Sequence, residues 1–206
     1  GDPASVGPLT AIINDPENDL ELRIRAAQEL RQIGDRSAVG PLTAIMNDPA
    51  NNLDLRKDAA RALGQIEDPD SVGPLTAIMN ATENNLDLRK DAARALGQIG
   101  DPDSVGPLTA IMNATENNLD FRICAVDALG EIGDSSAVEL LIVIMNARVA
   151  PPLLRCHVVK ALGQIGHRSS VVSLESIMNA TENDLVLRFC AAEALAISLR
   201  RLNTSD

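Results

Sequence analysis

Aromatic side chains are almost absent from this sequence. Its 206 residues include no tryptophan, no tyrosine and only two phenylalanines. Base-stacking surfaces and aromatic cages for cationic ligands are built from such rings, so the composition argues against both. Basic residues are also scarce, because 18 Lys and Arg stand against 29 Asp and Glu and the formal net charge is −11. An acidic chain repels a phosphate backbone, so we expect no nucleic-acid partner.

Long apolar runs and paired cysteines are missing as well. No apolar stretch approaches the roughly 20 residues that span a bilayer, so we expect no membrane partner. The cysteines are Cys124, Cys156 and Cys190, and an odd number without framework spacing favours a reducing compartment, which predicts a cytoplasmic location. The chain begins at Gly1 without a methionine. We expect Gly1 to be a residue left by cloning, and removal of a signal peptide or of further repeats stays open.

The sequence is dominated by repetition with a period of 33 residues. The repeats cover residues 2–34, 35–67, 68–100, 101–133, 134–166 and 167–206. A period in this range marks a stacked array, so we predict one solenoid domain over residues 2–206. Residues 68–87 recur identically as residues 101–120. Such near-identity indicates either recent duplication or an engineered consensus array, and the sequence does not separate the two.

Each repeat is predicted to form two helices, A and B, and helix A of the third repeat runs through residues 71–80. Asp68 is expected to cap its start, with Pro69 in the first turn where no amide donor is needed. Pro74 lies deeper, so we expect helix A to start late or to kink there. Asn80 is expected to end the helix, because asparagine tolerates the left-handed conformation.

Helix B of the third repeat is predicted over residues 84–99, with Asn84 or Asn85 as its cap and Gly100 as its end. At 100° per residue it separates into two faces. The face predicted to be buried comprises Leu88, Ala92, Ala95, Leu96 and Ile99. The face predicted to point outward comprises Asp87, Lys90, Asp91, Arg94 and Gln98.

The stretches LRKDAARALGQIG and DPDSVGPLTAIM resemble the HEAT-like repeats of the phycobilisome-lyase type. The resemblance covers residues 2–199, although the extra residues ATENN between helices A and B depart from the family's shorter unit. It implies an all-α fold, an armadillo-type α/α superhelix (solenoid) of six two-helix HEAT-like repeats with the B helices on the concave side. Members of that family include bilin-attachment factors and interaction scaffolds.

One arginine recurs in helix B of every repeat and forms a ladder. Its members are Arg23, Arg56, Arg89, Arg122, Arg155 and Arg188. They form either a row that binds anions or a structural ladder, in which each guanidinium bonds fixed oxygens of its own repeat and ties adjacent repeats together. We favour the structural interpretation, because Arg89 lies at the flank of the buried face and a planar guanidinium suits several fixed oxygens.

The outward positions of helix B vary between repeats, and in repeats four to six they become apolar. We predict that these positions bind a protein partner on the concave surface, because an apolar patch rimmed by charge usually marks an interaction site. The predicted residues are Ile123, Cys124, Leu153, Cys156, His157, Val186, Phe189 and Cys190. Degenerate terminal caps, or a missing seventh repeat that once covered them, remain the alternatives.

The case for an enzyme is weak, and we predict no catalytic residues, no cofactor and no metal. The two histidines, His157 and His167, lie outside His-Glu pairs, so the chain does not match the di-iron hydroxylases built on HEAT-like repeats. Cys124, His157 and Cys190 share one row, but successive helices lie roughly 8–10 Å apart, too far for three ligands of one ion. A two-ligand site that uses His157 and one cysteine stays open.

These observations predict a non-enzymatic protein–protein interaction scaffold. One alternative is an accessory factor or subunit of a bilin (phycobiliprotein) lyase, which the family resemblance alone implies. A further alternative is an engineered or consensus array without a native partner. The last helix continues through Ile197 and Leu199, so we expect either a monomer or a weak dimer formed through the C-terminal repeat.

Overall fold

The computed structural model describes residues 2–181 and 184–204, and over these residues it is all-helical, with helices in consecutive pairs. The α-helices are α1 Val6–Asn14, α2 Leu20–Ile33, α3 Val39–Asn47, α4 Leu53–Ile66, α5 Val72–Asn80, α6 Leu86–Ile99, α7 Val105–Asn113, α8 Leu119–Ile132, α9 Val138–Asn146, α10 Pro152–Ile165, α11 Arg168–Asn179 and α12 Leu185–Thr204. Single 3-10 turns lie at Pro3–Ser5, Arg36–Ala38, Pro69–Ser71, Pro102–Ser104 and Ser135–Ala137. The predicted fold class, an all-α solenoid of helix pairs, is confirmed. Among the residues described, no helix has the length and apolar character to cross a bilayer.

The chain divides into two compact units, an N-terminal unit of residues 1–104 and a C-terminal unit of residues 105–206. In the N-terminal unit, α4 packs against α2, α3 and α6. In the C-terminal unit, α10 packs against α8, α9 and α12. Within each unit the even-numbered B helices therefore form one layer, and each odd-numbered A helix packs against the B helix of its own repeat. The single domain over residues 2–206 stays a prediction.

Helix A starts late, as the sequence predicts. In the third repeat the Asp68 side chain accepts a hydrogen bond from the Asp70 amide, and residues Pro69–Ser71 form a 3-10 turn. The α-helix begins only at Val72. Pro74 is then the third helical residue, where the missing amide proton costs no intrahelical hydrogen bond.

Asn80 ends α5, but the predicted reason is wrong. The next residue, Ala81, is extended with φ −69° and ψ 107°, so the chain leaves the helix without a left-handed residue. The side chain of Asn84 instead folds back, and its Nδ2 donates to the carbonyl oxygen of Ile78 at 3.3 Å. A carbonyl in the last turn of a helix has no intrahelical donor, and the asparagine supplies one.

Helix B begins and ends on local signals that the sequence shows. Asn85 is the cap of α6, and its side chain accepts from the Asp87 amide at 2.8 Å. Gly100 ends α6 in the left-handed region with φ 73°. Glu67 occupies the corresponding position after α4 with φ 56°, which shows that the position requires a left-handed residue even where glycine is absent.

Candidate protein-binding face

All eight residues predicted to bind a partner lie in the C-terminal unit, on α8, α10 and α12. Their exposure differs strongly. The side chains exposed to solvent are Leu153 (53%), Val186 (61%) and Phe189 (63%). Cys156 and His157 are half-buried. Ile123, Cys124 and Cys190 are buried.

The expectation that Ile123, Cys124 and Cys190 face solvent is wrong, and so is the same expectation for Asp91. Asp91 occupies the same repeat position as Cys124 and Cys190, and it is only 3% exposed. We call this repeat position, which comprises Arg25, Asp58, Asp91, Cys124, His157 and Cys190, the seam position. Where contacts within one unit define its direction, it points at the preceding B helix. A B helix packs on an A helix and on neighbouring B helices, so more than one side of it is buried.

Contacts across the B layer show where the seam position points. Arg61 Nη2 of α4 lies 2.7 Å from Asp91 Oδ2 of α6 in the N-terminal unit. In the C-terminal unit, His157 Nδ1 of α10 lies 2.7 Å from Asp127 Oδ1 of α8. A third contact of this type joins Gln28 Nε2 to Asp58 Oδ2 at 3.4 Å. Each contact joins a residue to the seam position thirty residues later.

The sequence carries a signal for these pairs that the helical wheel missed. Residues thirty apart are complementary in three cases: Gln28 with Asp58, Arg61 with Asp91, and Asp127 with His157. Comparing each residue with the one thirty positions later, instead of one full 33-residue repeat later, would have found these pairs. The wheel treats each helix alone and therefore does not register contacts between helices.

Two of the cysteines lie together on adjacent helices of the C-terminal unit. The thiol of Cys156 on α10 hydrogen-bonds with Cys190 on α12. Burial, followed by this hydrogen bond and by the charge of neighbouring acidic groups, raises the pKa of Cys156 to about 11. Since the thiolate is the nucleophilic form of cysteine, Cys156 is a poor nucleophile at neutral pH.

We therefore expect Cys156 to be alkylated slowly in the folded protein. At pH 8 its rate with iodoacetamide should be about a hundredfold below the rate in the urea-unfolded chain, because the pKa is raised from 9.0 to about 11 and the rate follows the thiolate fraction. The rate in the folded protein should then rise about tenfold per pH unit up to the pKa. Residue-resolved mass spectrometry measures both rates, and equal rates at pH 8 in the folded and unfolded chains would contradict the expectation.

The arginine ladder is engaged with the ends of the A helices. In every repeat the Nε of the ladder arginine donates to the carbonyl of the residue just before the last residue of helix A. The acceptors for Arg23, Arg56, Arg89, Arg122, Arg155 and Arg188 are Ile13, Met46, Met79, Met112, Met145 and Met178, at 2.6, 2.8, 2.8, 2.8, 2.7 and 2.9 Å. These bonds join helix B to helix A within each repeat.

The same arginines also link successive repeats of the N-terminal unit. Arg23 Nη2 donates to Asn51 Oδ1 of the second repeat at 2.8 Å, and Arg56 Nη2 donates to Asn84 Oδ1 of the third at 3.1 Å. Each asparagine in turn donates to a helix A carbonyl of its own repeat. One guanidinium therefore bonds the end of one A helix and the connection of the next repeat, a geometry that a planar fork of donors can serve.

The row formed by Cys124, His157 and Cys190 does not form a metal cluster. His157 is instead paired with Asp127, and Cys190 with Cys156. Over residues 2–181 and 184–204, no group of three or more His, Cys, Asp and Glu side chains is arranged to hold a metal ion.

Sequence comparison decides the family. The HEAT-repeat family profile matches residues 6–86 and 81–150, more than half of the chain. The protein belongs to the HEAT-repeat family. No curated protein matches this HEAT-repeat chain significantly in sequence.

Several solved structures have folds similar to this chain. The CpcE–CpcF complex of phycocyanin lyase from Nostoc sp. PCC7120 is 19% identical with a TM-score of 0.50, over 98% of this chain and 94% of that one. The Escherichia coli protein YibA is 16% identical with a TM-score of 0.59, over 94% and 68% of the two chains. A chain of the Kap95p–RanGDP complex is 13% identical with a TM-score of 0.59, over 97% and 30%. At these identities the likeness shows the fold alone.

Proposed function

We propose that this HEAT-repeat protein is a non-enzymatic scaffold that binds a protein partner through the B helices of its C-terminal unit. The observation that carries the proposal is the exposure of three large apolar side chains, Leu153, Val186 and Phe189. We call them the apolar trio. Exposed apolar groups that lie close together mark interaction sites more often than single exposed residues do.

The repeat geometry brings the apolar trio together. Leu153 and Val186 occupy the same repeat position, each in the first turn of its helix, α10 or α12. These two helices pack against each other, and packed helices lie about 8–10 Å apart. Phe189 follows Val186 by three residues, so the two side chains lie on one face of α12.

The composition of this position favours a function specific to the C-terminal unit. In the first four repeats the position of Leu153 and Val186 is acidic in each case: Glu21, Asp54, Asp87 and Asp120. The fold therefore tolerates a charged residue at this position, and the change to Leu and Val is not needed for packing. An apolar side chain that the fold does not use is available to a partner.

The surroundings of the apolar trio have the composition of an interface. Lys160 and Glu193 are exposed on the same two helices, and Asp184 is exposed just before α12. An apolar centre within a polar rim is the usual anatomy of a protein interface. Phe189 supplies the kind of large aromatic anchor that often dominates the binding energy.

The experiment compares the wild type with the double variant Leu153→Glu, Phe189→Glu in affinity capture from an extract of the source organism. We expect a protein that the wild type retains and the variant loses. The captured protein is then purified and titrated, and its affinity for the variant should be weaker by about a hundredfold, the effect of losing a central anchor.

A matched control is available on the A helices of the same unit. Val143 on α9 and Val172 on α11 are 64% and 71% exposed, so Val143→Glu, Val172→Glu introduces the same two negative charges at exposed apolar positions elsewhere. Both double variants should keep the helical circular dichroism of the wild type. The proposal fails if the trio variant binds the captured protein as tightly as the control does, and the alternative that the trio merely belongs to a degenerate cap then stands.

A further inference from the structure

A second candidate site lies in the N-terminal unit. A cavity of about 290 Å³ is lined by Arg31 of α2, Arg61 of α4 and Arg94 of α6. The rest of its lining comprises Gln65, Asp91, Ala95 and Gln98. Three guanidinium groups and one carboxylate thus line a single cavity, in a chain whose net charge is −11.

Arg31 breaks the repeat pattern at its position. In the next four repeats the corresponding residue is glycine, namely Gly64, Gly97, Gly130 and Gly163. At Gly64 the next B helix packs so closely that an added Cβ would come within 2.7 Å of the Ala95 Cα. An arginine does not fit such a contact, and the Arg31 side chain lines the cavity instead.

The guanidinium of Arg31 has a donor that the protein does not use. Its Nε is buried and has no hydrogen-bond partner among the residues described. Burial of an unpaired charged donor is costly, so such a donor in a native protein usually meets a water molecule, an ion or a ligand. The unused donor belongs to a group that lines the cavity.

The other two arginines are oriented by acidic side chains. The side chain of Asp91 is only 4% exposed; its Oδ2 forms an ion pair with Arg61 Nη2 at 2.7 Å, and its Oδ1 accepts a hydrogen bond from Arg94 Nη1 at 2.9 Å. Arg61 also contacts Asp58 Oδ1 at 3.0 Å. One buried carboxylate therefore positions two of the three guanidinium groups of the lining.

We propose that this cavity binds a small oxyanion, a carboxylate or phosphate group that accepts hydrogen bonds from the guanidinium groups of Arg31, Arg61 and Arg94. Arginine is the residue best suited to such groups, because its planar fork donates two parallel hydrogen bonds. The amides of Gln65 and Gln98 add neutral donors to the lining. The cavity volume lies at the lower end of the range for small-ligand sites, so the ligand has the size of phosphate or of a small polycarboxylate.

The test titrates the full chain with sodium phosphate and, separately, with sodium citrate, with sodium chloride holding the ionic strength constant. The readout is the NMR signal of the arginine Nε–H groups. We expect a saturable shift of the Arg31 signal with at least one of the two anions. The anion that binds more tightly distinguishes a tetrahedral phosphate ligand from a carboxylate ligand.

Three variants separate a site from general electrostatics. Arg31→Gln should weaken the affinity by about tenfold or more, as expected for loss of a charge-assisted hydrogen bond. Arg31→Gly should do the same, and it restores the residue that the next four repeats carry, so it is compatible with the fold. Arg25→Gln removes the same charge from α2 at an exposed arginine paired with Glu21, and it should change the affinity by less than about twofold. An equal loss in Arg25→Gln, or no saturation with either anion in the wild type, overturns the proposal.

Discussion

Replacement of Arg122 by alanine is expected to destabilise the C-terminal unit by about 2–4 kcal/mol. Arg122 is 7% exposed, and its Nε donates to the Met112 carbonyl at 2.8 Å. The substitution leaves that carbonyl without its donor and empties the space of the aliphatic stem. Equilibrium urea unfolding followed by circular dichroism measures the change in the free energy of unfolding.

Two further variants test the cause of that loss. Arg25→Ala removes an arginine that is 70% exposed and paired only at the surface with Glu21, so it should cost less than about 1 kcal/mol. Arg122→Lys keeps the charge but lacks the Nε that the carbonyl requires, so it should recover only part of the loss. If Arg122→Ala and Arg25→Ala cost the same, the ladder arginine contributes no more to stability than a surface arginine does.

The sequence predicted the helix pairs, their caps and the period because these depend on local chemistry. Asp68 before a proline, Asn85 at the start of α6 and Gly100 at its end each act within a few residues, and the structure places them as expected. The side chains of Met46 and Met79 on helix A are fully buried. Because these cap and helix-end residues recur every 33 residues, the structure tests each of them in several repeats of the same chain.

The orientation of the seam position could not be predicted in the same way. A helical wheel assumes one buried side, whereas a B helix has an A helix and neighbouring B helices around it. Asp91 and Cys190 therefore turned out to be buried although the wheel placed them outside. The charge of Asp91 favoured an exposed position in the sequence analysis. In the structure two arginines pair with the carboxylate and compensate for its burial.

Composition alone was equally unable to separate the two phenylalanines. Phe121 is fully buried at a position where the other repeats carry leucine, whereas Phe189 is 63% exposed. Phe121 occupies a core position, whereas Phe189 lies on the last B helix at a position that is buried or half-buried in the other five repeats. The aromatic residue that matters for the proposed partner is therefore Phe189, because its side chain is the exposed one.

Gly64→Ala is expected to destabilise the N-terminal unit by about 1–3 kcal/mol, although alanine is the better helix former. An added Cβ would lie 2.7 Å from the Ala95 Cα and 2.9 Å from its Cβ. The first of these atoms belongs to the backbone, so α4 and α6 would have to move apart. Overpacking of this kind outweighs the gain of up to about 1 kcal/mol from helix propensity.

Gly73→Ala provides the matched control for this prediction, because Gly73 is also helical but its Cβ would meet nothing within 4 Å. There the propensity gain acts alone, and we expect a stabilisation of up to about 1 kcal/mol. Gly163→Ala repeats the test in the C-terminal unit, where the added Cβ would lie 2.8 Å from the Ala194 Cα. Opposite signs for Gly73→Ala and the other two variants in urea unfolding would show that glycine is required for close packing within the B layer. A gain of stability in all three variants would show instead that the B helices separate at little cost. The argument that Arg31 lines a cavity because an arginine does not fit the close contact between B helices would then be wrong.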